Sequence, residues 1–282
     1  MNIVIDTLRE ADLAEAIALS TGEGWNQTHA DWRRLLRLAP LGCLGARIEG
    51  RLVGTVTTTT YERPLAWIGM MIVHPASRRR GIGEALMTRA LEHIEAAGVP
   101  YVKLDATPAG LPLYRRLGFE EEVLFERWQG VATPTGSADP APLERAALGA
   151  VLPLDLAAFG ADRSRLLGEL EADALAAHVI RESESRVAGF ALARAGRVAI
   201  YLGPLIATEG RIAERLFSAL IARFRGQTVC IEVNLDVGVL DPALLRRCGL
   251  EPRRPLTRMR RGTTLASGTS ALVCASAGPE YG

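Results

Sequence analysis

The sequence has almost no net charge, because 33 lysines and arginines offset 32 aspartates and glutamates and leave a formal charge of +1 at pH 7. General binding to nucleic acid or to a membrane surface needs a strongly basic balance, so neither partner is expected. No uninterrupted apolar run approaches the roughly 20 residues of a membrane-spanning helix, and the N-terminus lacks a basic segment followed by an apolar one. These absences predict a cytoplasmic protein.

Cysteine is scarce as well. The four cysteines lie far apart and form no C-x-x-C pair: Cys43, Cys230, Cys248 and Cys274. Their spacing favours free, buried thiols in a reducing compartment over a disulfide framework. The four histidines are equally scattered and show no zinc-ligand spacing, so no metal is expected.

The apolar residues that are present predict an α/β fold. An opening strand at Ile3 to Ile5 leads into a helix from Arg9 to Ile17, which Asp6 or Thr7 would cap. The pattern then predicts a helix near 31–38, strands at 43–48, 52–60 and 66–73, a helix from Ile82 that stops at Gly98, a strand at 101–106 and a short helix at 111–117. Strands that alternate with helices are typical of α/β domains.

The chain is long enough for two domains, since 282 residues exceed the usual size of one. Residues 130–142 contain three prolines and no apolar periodicity, which indicates a linker. We therefore expect one domain over residues 1–129 and a second over 143–282. The second half repeats the first in weakened form, because the segment 113–120 has a counterpart in 244–251, about 130 positions later.

The two copies differ where chemistry would take place. The second half has only Thr208, Glu209 and Gly210 before its helix, and Leu245 stands where the first half has Tyr114. The second copy should not hold a phosphate in the way the first does. Residues 262–282 are rich in small side chains, and the stretch 271–275 is either a last strand or disordered.

A glycine-rich basic loop is the main chemical feature of the sequence. Residues 78–83 read Arg-Arg-Arg-Gly-Ile-Gly and lie between a predicted strand and an amphipathic helix. A helix N-terminus attracts anions, glycine lets the backbone approach a phosphate, and arginine adds charged donors. By itself the loop could equally be a tight turn with a solvated basic run. A Rossmann site is disfavoured by the position of the glycines, and a P-loop is excluded for want of G-K-[S/T].

The neighbouring motifs decide between these interpretations. Met71-Ile72-Val73-His74-Pro75 precedes the loop, Ala85-Leu86-Met87 follows it, and Leu113-Tyr114-Arg115-Arg116-Leu117-Gly118-Phe119 comes later. This arrangement resembles the GNAT family of N-acetyltransferases over residues 3–128, and the second half resembles a degenerate copy, as in tandem proteins of that family. The resemblance implies two GNAT-like α/β domains, each with a mixed central sheet flanked by helices.

The resemblance also implies a site for acetyl-CoA. Its pantetheine arm would pair with the strand residues and its pyrophosphate would lie on the loop: Met71, Ile72 and Val73 for the arm, and Arg78, Arg79, Arg80, Gly81, Ile82 and Gly83 for the pyrophosphate. Thr107 stands where the family often has an asparagine that contacts pantetheine. Because the loop occurs once, we expect one acetyl-CoA per chain.

Catalysis needs an acid for the departing thiolate and an acceptor for the proton of the amine. Tyr114 matches the family's tyrosine, and a phenol with a pKa near 10 is protonated at neutral pH. The predicted strand 66–73 has no carboxylate where many members carry a glutamate. Glu23 is the first candidate for the base, and Asp105, Glu62 or ordered water are the alternatives.

The resemblance thus implies an enzyme that transfers acetyl from acetyl-CoA to a primary amine. We expect a small-molecule acceptor, because neither half shows a strong polyelectrolyte-binding face. The missing strand carboxylate keeps open a second function, a non-catalytic acyl-CoA sensor. A transferase for longer acyl chains is a third. The sequence carries no signal of oligomeric state.

Overall fold

The computed structural model describes residues 3–61, 64–135, 144–145, 147–184, 186–263 and 268–282. Two sequence-based predictions fall outside these ranges, namely the role of Glu62 as a base and the linker residues 136–142. The predicted end of the first domain, at residue 129, falls inside a strand that continues to Val131.

The first half alternates strands and helices. In chain order the described elements are β1 (Val4–Thr7), α1 (Leu13–Gly22), α2 (His29–Leu38), β2 (Cys43–Ile48), β3 (Arg51–Tyr61), β4 (Leu65–Val73), α3 (Ile82–Ala96), β5 (Tyr101–Ala106), α4 (Leu111–Arg116) and β6 (Glu120–Val131). Local signals fix several ends. Helix α2 begins at a capping box, in which the Thr28 hydroxyl accepts from the Asp31 amide at 3.3 Å and Asp31 accepts from the Thr28 amide at 2.8 Å.

The second half repeats this order from its first strand and ends with one further strand. Its described elements are β7 (Glu144–Arg145), α5 (Leu148–Phe159), α6 (Ser164–Ala172), β8 (Ala174–Ser183), β9 (Arg186–Arg194), β10 (Ile200–Ala207), α7 (Gly210–Arg223), β11 (Thr228–Asn234), α8 (Pro242–Arg247), β12 (Leu250–Gly262) and β13 (Val273–Ala275). Strands β10 and β11 with α7 and α8 therefore correspond to β4, β5, α3 and α4. This mixed α/β arrangement confirms the predicted fold class.

The two halves share one mixed sheet. Among the described residues its strand order is β1-β2-β3-β4-β5-β12-β6-β11-β13-β10-β9-β8-β7. Strand β12 of the second half lies between β5 and β6, and β6 of the first half pairs with β11 along its length. Strand β6 of the first half and strand β12 of the second half are thus exchanged between the sheets of the two halves. Sequence periodicity predicted the strands but not this exchange.

Strands β4 and β5 separate partway along their length. They pair in parallel from Leu65 opposite Tyr101 to Ile68 opposite Leu104, and the pairing stops there. Just beyond, Met70 has a left-handed backbone with φ of 47°, and the register against β3 shifts, which marks a β-bulge. The hydroxyl of Thr55 donates to the Met70 carbonyl at 2.7 Å and holds the bulge. A gap therefore opens between the C-terminal ends of the two strands.

The equivalent gap in the second half is filled. Strands β10 and β11 pair in parallel from Ile200 opposite Val229 to Leu202 opposite Ile231. Beyond that point β13 enters between them, because its Ala275 lies opposite both Leu205 of β10 and Val233 of β11. The predicted strand at 271–275 is confirmed over Val273–Ala275, preceded by a 3-10 turn.

Residues of both halves pack in a shared hydrophobic core. One hydrophobic cluster combines Trp32 and Leu35 of α2 with Leu166 and Leu167 of α6, and all four side chains are at most 1% exposed. Helix α3 packs on its own cluster with the first-half strands, and α7 does the same in the second half. Burial on this scale supplies most of the folding free energy.

One predicted cap was wrong. Asp6 and Thr7 lie inside β1, and Arg9 is the residue that precedes a short 3-10 turn at Glu10–Asp12. Pairing of residues 4–7 with β2 explains the difference, since a residue committed to a sheet ladder does not cap a helix. Helix α1 also runs to Gly22, beyond the predicted end at Ile17.

Candidate active site

The basic loop adopts the geometry of an anion site. Arg79 has φ of 59° and Gly81 has φ of 78°, so left-handed residues turn the backbone at the start of α3. Gly81 is the residue before the helix, and its carbonyl accepts from the Ala85 amide at 3.0 Å. The amides of the first turn consequently have no partner within the helix. They face an opening with the partial positive charge of the helix N-terminus.

Two side chains fasten this loop to the rest of the molecule. The guanidinium of Arg78 donates from Nε to the Val73 carbonyl at 2.9 Å and from Nη2 to the carboxylate of Glu23. Glu23 follows α1, so the pair joins the N-terminal helix to the loop. Arg80 is exposed and does not line the cleft described next, unlike Arg78 and Arg79.

The loop borders a cleft of about 710 Å³ that continues into the gap between β4 and β5. Ligand sites usually measure roughly 300–1,000 Å³. Of the residues predicted to hold a cofactor, nine line this cleft: Met71, Ile72, Val73, Arg78, Arg79, Gly81, Ile82, Gly83 and Thr107. The structure therefore brings together a strand, a helix N-terminus and the residue after β5, which are far apart in sequence.

Tyr114 lies in the same cleft. Its ring is 8% exposed and packs edge-on against Phe119, with centroids 6.1 Å apart. A Cβ at Gly110 would come within 2.7 Å of the ring, so glycine at that position leaves the space that Tyr114 needs. Among the described residues the hydroxyl has no hydrogen-bond partner. Burial raises the pKa of Tyr114 above its ordinary value, which keeps the phenol protonated.

The acids predicted as bases occupy different positions. Glu23 lies at the cleft, paired with Arg78, and its side chain is 26% exposed. Asp105 is buried and accepts two hydrogen bonds from the guanidinium of Arg258, at 2.9 and 3.0 Å. Burial raises the pKa of Asp105 and Arg258 opposes that shift. A single arginine therefore binds both oxygens of Asp105.

A narrow recess leads from the cleft into the gap between β4 and β5. Five residues line both spaces and mark their junction: Trp25, Met71, Thr107, Tyr114 and Arg254. The recess itself is lined further by Gln27, Gly69, Met70, Asp105 and Glu280. Arg254 comes from β12 and Glu280 from the C-terminal segment, so the second half supplies part of this space.

The C-terminal residues 276–282 are ordered by contacts with the first half. The Trp67 indole donates to the Pro279 carbonyl at 2.9 Å, and the Tyr61 hydroxyl donates to the Tyr281 carbonyl at 2.8 Å. Gly69 of β4 lies so close that an added Cβ would be 2.9 Å from the Glu280 Cα. Glycine at 69 therefore admits the segment.

Glu280 is the carboxylate that sequence reasoning missed. It is 2% exposed, its Oε1 accepts from Arg194 at 2.7 Å, and its Oε2 accepts from Gln27 at 2.7 Å. Burial raises the pKa of Glu280, and Arg194 opposes the shift. No local pattern pointed to Glu280, because it lies more than 200 positions from β4 in a segment of small residues. The placement of that segment depends on the exchange of strands between the halves.

Two sequence profiles match the chain, one in each half. The profile of the acetyltransferase (GNAT) family matches residues 5–119, and that of an acetyltransferase (GNAT) domain matches residues 151–272. The chain belongs to the GNAT acetyltransferases. It carries two GNAT domains in tandem, which confirms the resemblance seen in the sequence.

Curated relatives of this GNAT chain cover only part of it. An uncharacterized N-acetyltransferase, YitH of Bacillus subtilis (strain 168), is 25% identical over 190 residues, which are 66% of this chain and 62% of YitH. The uncharacterized N-acetyltransferase MJ1207 of Methanocaldococcus jannaschii is 29% identical over 113 residues, which are 37% of this chain and 49% of MJ1207. The chain thus spans less than two thirds of the length of both relatives.

Solved structures share the tandem GNAT fold over the whole chain. A candidate acetyltransferase from Pyrococcus horikoshii superposes with a TM-score of 0.82 at 24% identity, covering 99% of this chain and 96% of its own. A GCN5-related N-acetyltransferase from Sphaerobacter thermophilus gives a TM-score of 0.66 at 17% identity, covering 94% and 96%. At these identities the likeness concerns the fold.

Among its described residues, the second GNAT copy has no gap comparable to the one between β4 and β5. Strand β13 fills the gap between β10 and β11, and Leu245 is buried where the first copy has Tyr114. In the described part of the chain no group of histidine, cysteine and acidic residues could hold a metal ion. None of the described helices is long and apolar enough to cross a bilayer.

Proposed function

We propose that this chain is an N-acetyltransferase that transfers an acetyl group from acetyl-CoA to the primary amine of a small molecule. The observation that carries the proposal is the open cleft between β4 and β5, which is lined both by the left-handed loop of residues 78–83 and by Tyr114. A phosphate site and a protonated phenol on one continuous cavity suit a cofactor with a pyrophosphate at one position and a thioester at another.

The residues present fit acetyl-CoA. Unpaired amides at the start of α3, with Arg78 and Arg79 beside them, suit the pyrophosphate. Residues 71–73 lie beyond the end of the β4–β5 pairing, and the strand edge that faces the gap there suits an extended amide-bearing arm. Thr107 lies on the far side of the same gap. When bound, acetyl-CoA supplies an activated acetyl thioester.

Tyr114 is proposed as the acid. Tyr114 lines the cleft, and its hydroxyl has no hydrogen-bond partner among the described residues. Burial keeps its pKa above the ordinary value, so the proton stays on Oη at neutral pH. The phenol would give that proton to the thiolate as it leaves. A phenol whose pKa lies above that of the CoA thiol gives up its proton less readily. The position of the phenol beside the thiolate must therefore offset the unfavourable difference in pKa.

The base is proposed to be Glu23 or Glu280, two of the carboxylates that line the cleft and the recess. Glu23 lies at the cleft and is already paired with Arg78. Glu280 lies in the recess, where burial raises its pKa and so increases its affinity for a proton. Comparing Glu23→Gln with Glu280→Gln would separate them, because only loss of the base removes the acidic limb from the pH profile of kcat/KM.

The sensor hypothesis rested on the lack of a carboxylate in β4. Glu280 lies against Gly69 of that strand, so a carboxylate is present at the gap although another segment supplies it. This favours catalysis over sensing. A cytoplasmic location is part of the proposal, and the four buried, unpaired cysteines support a reducing compartment.

The test is a thiol-release assay with acetyl-CoA and a panel of small amines, together with calorimetric titration of CoA. Turnover with at least one amine, and loss of CoA binding on Gly81→Ala, would support the proposal. Binding of CoA without release on any amine would point to the sensor. Tighter binding of succinyl-CoA or a long-chain acyl-CoA than of acetyl-CoA would point to a different acyl donor.

A further inference from the structure

Arg254 is half-buried and differs from the arginines that are fully buried. Each of the others pairs with a carboxylate: Arg34 with Asp31, Arg127 with Glu232, Arg163 with Asp155, Arg194 with Glu280 and Arg258 with Asp105. The side chain of Arg254 makes no hydrogen bond or ion pair with any described residue, and its buried Nε has no partner among them. A charged donor in that state is costly unless something else binds it.

A second polar group in the same recess also lacks a partner. The side-chain oxygen of Gln27 is buried and accepts no hydrogen bond from the described residues. Its orientation is fixed, because the amide nitrogen must be the atom that donates to the carboxylate of Glu280 at 2.7 Å. Gln27 and Arg254 therefore present one free acceptor and one free donor to a single small space.

The position of Arg254 relates it to the reacting groups. It lines the junction of cleft and recess together with Tyr114, whereas no residue of the loop 78–83 lines the recess. Arg254 belongs to β12, which runs antiparallel to β5. The last residue of β5, Ala106, lies opposite Thr257, so Arg254 lies beyond the C-terminal end of β5. A group that entered the recess would meet Arg254 at its junction with the cleft and Gln27 in the recess itself.

The charge around Arg254 is poorly balanced. Burial lowers the pKa of Arg254, the neighbouring Arg127 lowers it further, and Glu232 and Glu280 act in the opposite direction. Glu232 is already bound by Arg127, whose Nε donates to it at 2.8 Å, and by the Tyr201 hydroxyl at 2.7 Å. Both oxygens of Glu280 are likewise bound. An anion brought by a ligand would complete the site.

We propose that Arg254 binds a carboxylate of the acceptor while Gln27 accepts a hydrogen bond from its amine, so the acceptor is an amine that carries a carboxylate close by, as amino acids do. This inference rests on the proposed acetyltransferase function and adds a substrate class to it. It makes Arg254 a specificity residue contributed by the second half to the site of the first half.

The experiment uses the full chain with matched pairs of acceptors that differ in the carboxylate alone, such as lysine with cadaverine and arginine with agmatine. A hydrogen-bonded charge pair contributes about 1.5–3 kcal/mol, which corresponds to roughly a 10- to 100-fold change in kcat/KM. We expect the carboxylate-bearing member of a pair to be preferred by that factor. Arg254→Met should abolish the preference, and Arg254→Lys should keep part of it.

The matched control is Arg253→Met, since Arg253 is the exposed neighbour on β12 and lines neither the cleft nor the recess. It should leave the preference unchanged. A readout besides activity is the thermal shift of the CoA-bound protein on adding each acceptor. The carboxylate-bearing acceptor should raise Tm in the wild type and in Arg253→Met but not in Arg254→Met.

Three outcomes would overturn the inference in different ways. Turnover of amines with equal or better use of the members that lack the carboxylate would refute it and leave the acetyltransferase function intact. A higher KM for acetyl-CoA in Arg254→Met, with an unchanged KM for the acceptor, would place Arg254 on the cofactor. Absence of turnover with every amine would refute the proposed function, and the inference would fall with it.

Discussion

The side-chain amide of Gln27 donates a 2.7 Å hydrogen bond to the carboxylate of Glu280, which lies 253 positions later in the chain. The bond joins the loop after α1 to the C-terminal segment across the gap between β4 and β5. Arg194 of β9 holds the other oxygen of Glu280 at 2.7 Å. Residues of the second half therefore line part of the candidate site in the first half.

Arg194→Met should destabilise the protein by about 3–5 kcal/mol, because it leaves the buried carboxylate of Glu280 without its ion partner. Loss of Arg194 lets burial raise the pKa of Glu280 further. A group whose pKa is raised in the folded state favours folding at low pH, and this contribution disappears as the pH rises. The fall in Tm should hence be larger at about pH 8 than at about pH 5.

The control for that prediction is Arg186→Met in the same strand. Arg186 pairs with Glu182 on the surface, where both side chains are more than half exposed, at 70% and 57%. Exposed pairs contribute about 0–1 kcal/mol, so Tm should change little at either pH. Thermal melts measure both variants. An equal fall in Tm in Arg194→Met and Arg186→Met would contradict a special role for the Arg194–Glu280 pair.

Tyr114→Phe should lower kcat about 100-fold while leaving the KM for acetyl-CoA nearly unchanged, since only the proposed proton donor is removed. The ring keeps its contact with Phe119, so Tm should be close to that of the wild type. Steady-state kinetics and a thermal melt measure both. A proportional rise in the KM for acetyl-CoA with unchanged kcat would instead assign Tyr114 to cofactor packing.

Gly81→Ala and Gly50→Ala separate backbone strain from cofactor binding. Both glycines have a left-handed backbone, with φ of 78° and 80°, and nothing lies within 4 Å of an added Cβ. Each substitution should cost about 1–2 kcal/mol of stability. Gly50 lies in the turn between β2 and β3, so Gly81→Ala alone should raise the Kd for CoA, as measured by calorimetry. Similar affinities in both variants would contradict an anion site at the loop.

Titration with CoA should give one site per chain. The gap between β4 and β5 is open, whereas β13 fills the corresponding gap between β10 and β11. Replacing Leu245 with tyrosine should not create a second site, because β13 still occupies the space. Two equivalent CoA sites in calorimetry would show that β13 leaves the second gap in solution.

Much of the first half followed from local patterns. Period-two and period-3.6 apolar spacing predicted β5 at residues 101–106, and it located β2, α3 and α4 to within a few residues. The loop of residues 78–83 carries its own signal, since glycine and arginine before an amphipathic helix have a direct physical use. The proposed role of Tyr114 needed the family resemblance, because a tyrosine on a short helix is by itself most often a packing residue.

Other features could not follow from local patterns. The cap assigned to Asp6 or Thr7 failed because pairing with β2 took those residues into a strand. Glu280, Arg254 and Gln27 line one recess only because β12 crosses into the first half and the segment after β13 returns along β4. Contacts over such sequence separations depend on how strands pair, and the pairing order of a sheet is not encoded in any one strand.

By itself the sequence determined the family, the repeat, the glycine-rich basic loop and the absence of that loop from the second copy, since a run of consecutive residues carries each of them. Only the tertiary structure decided that the halves share a sheet, that β13 closes the second gap, and that Glu280 and Arg254 border the first. The physical reason is that backbone hydrogen bonds between strands carry no residue identity. Which strand fills a vacant position depends on the packing of the whole chain.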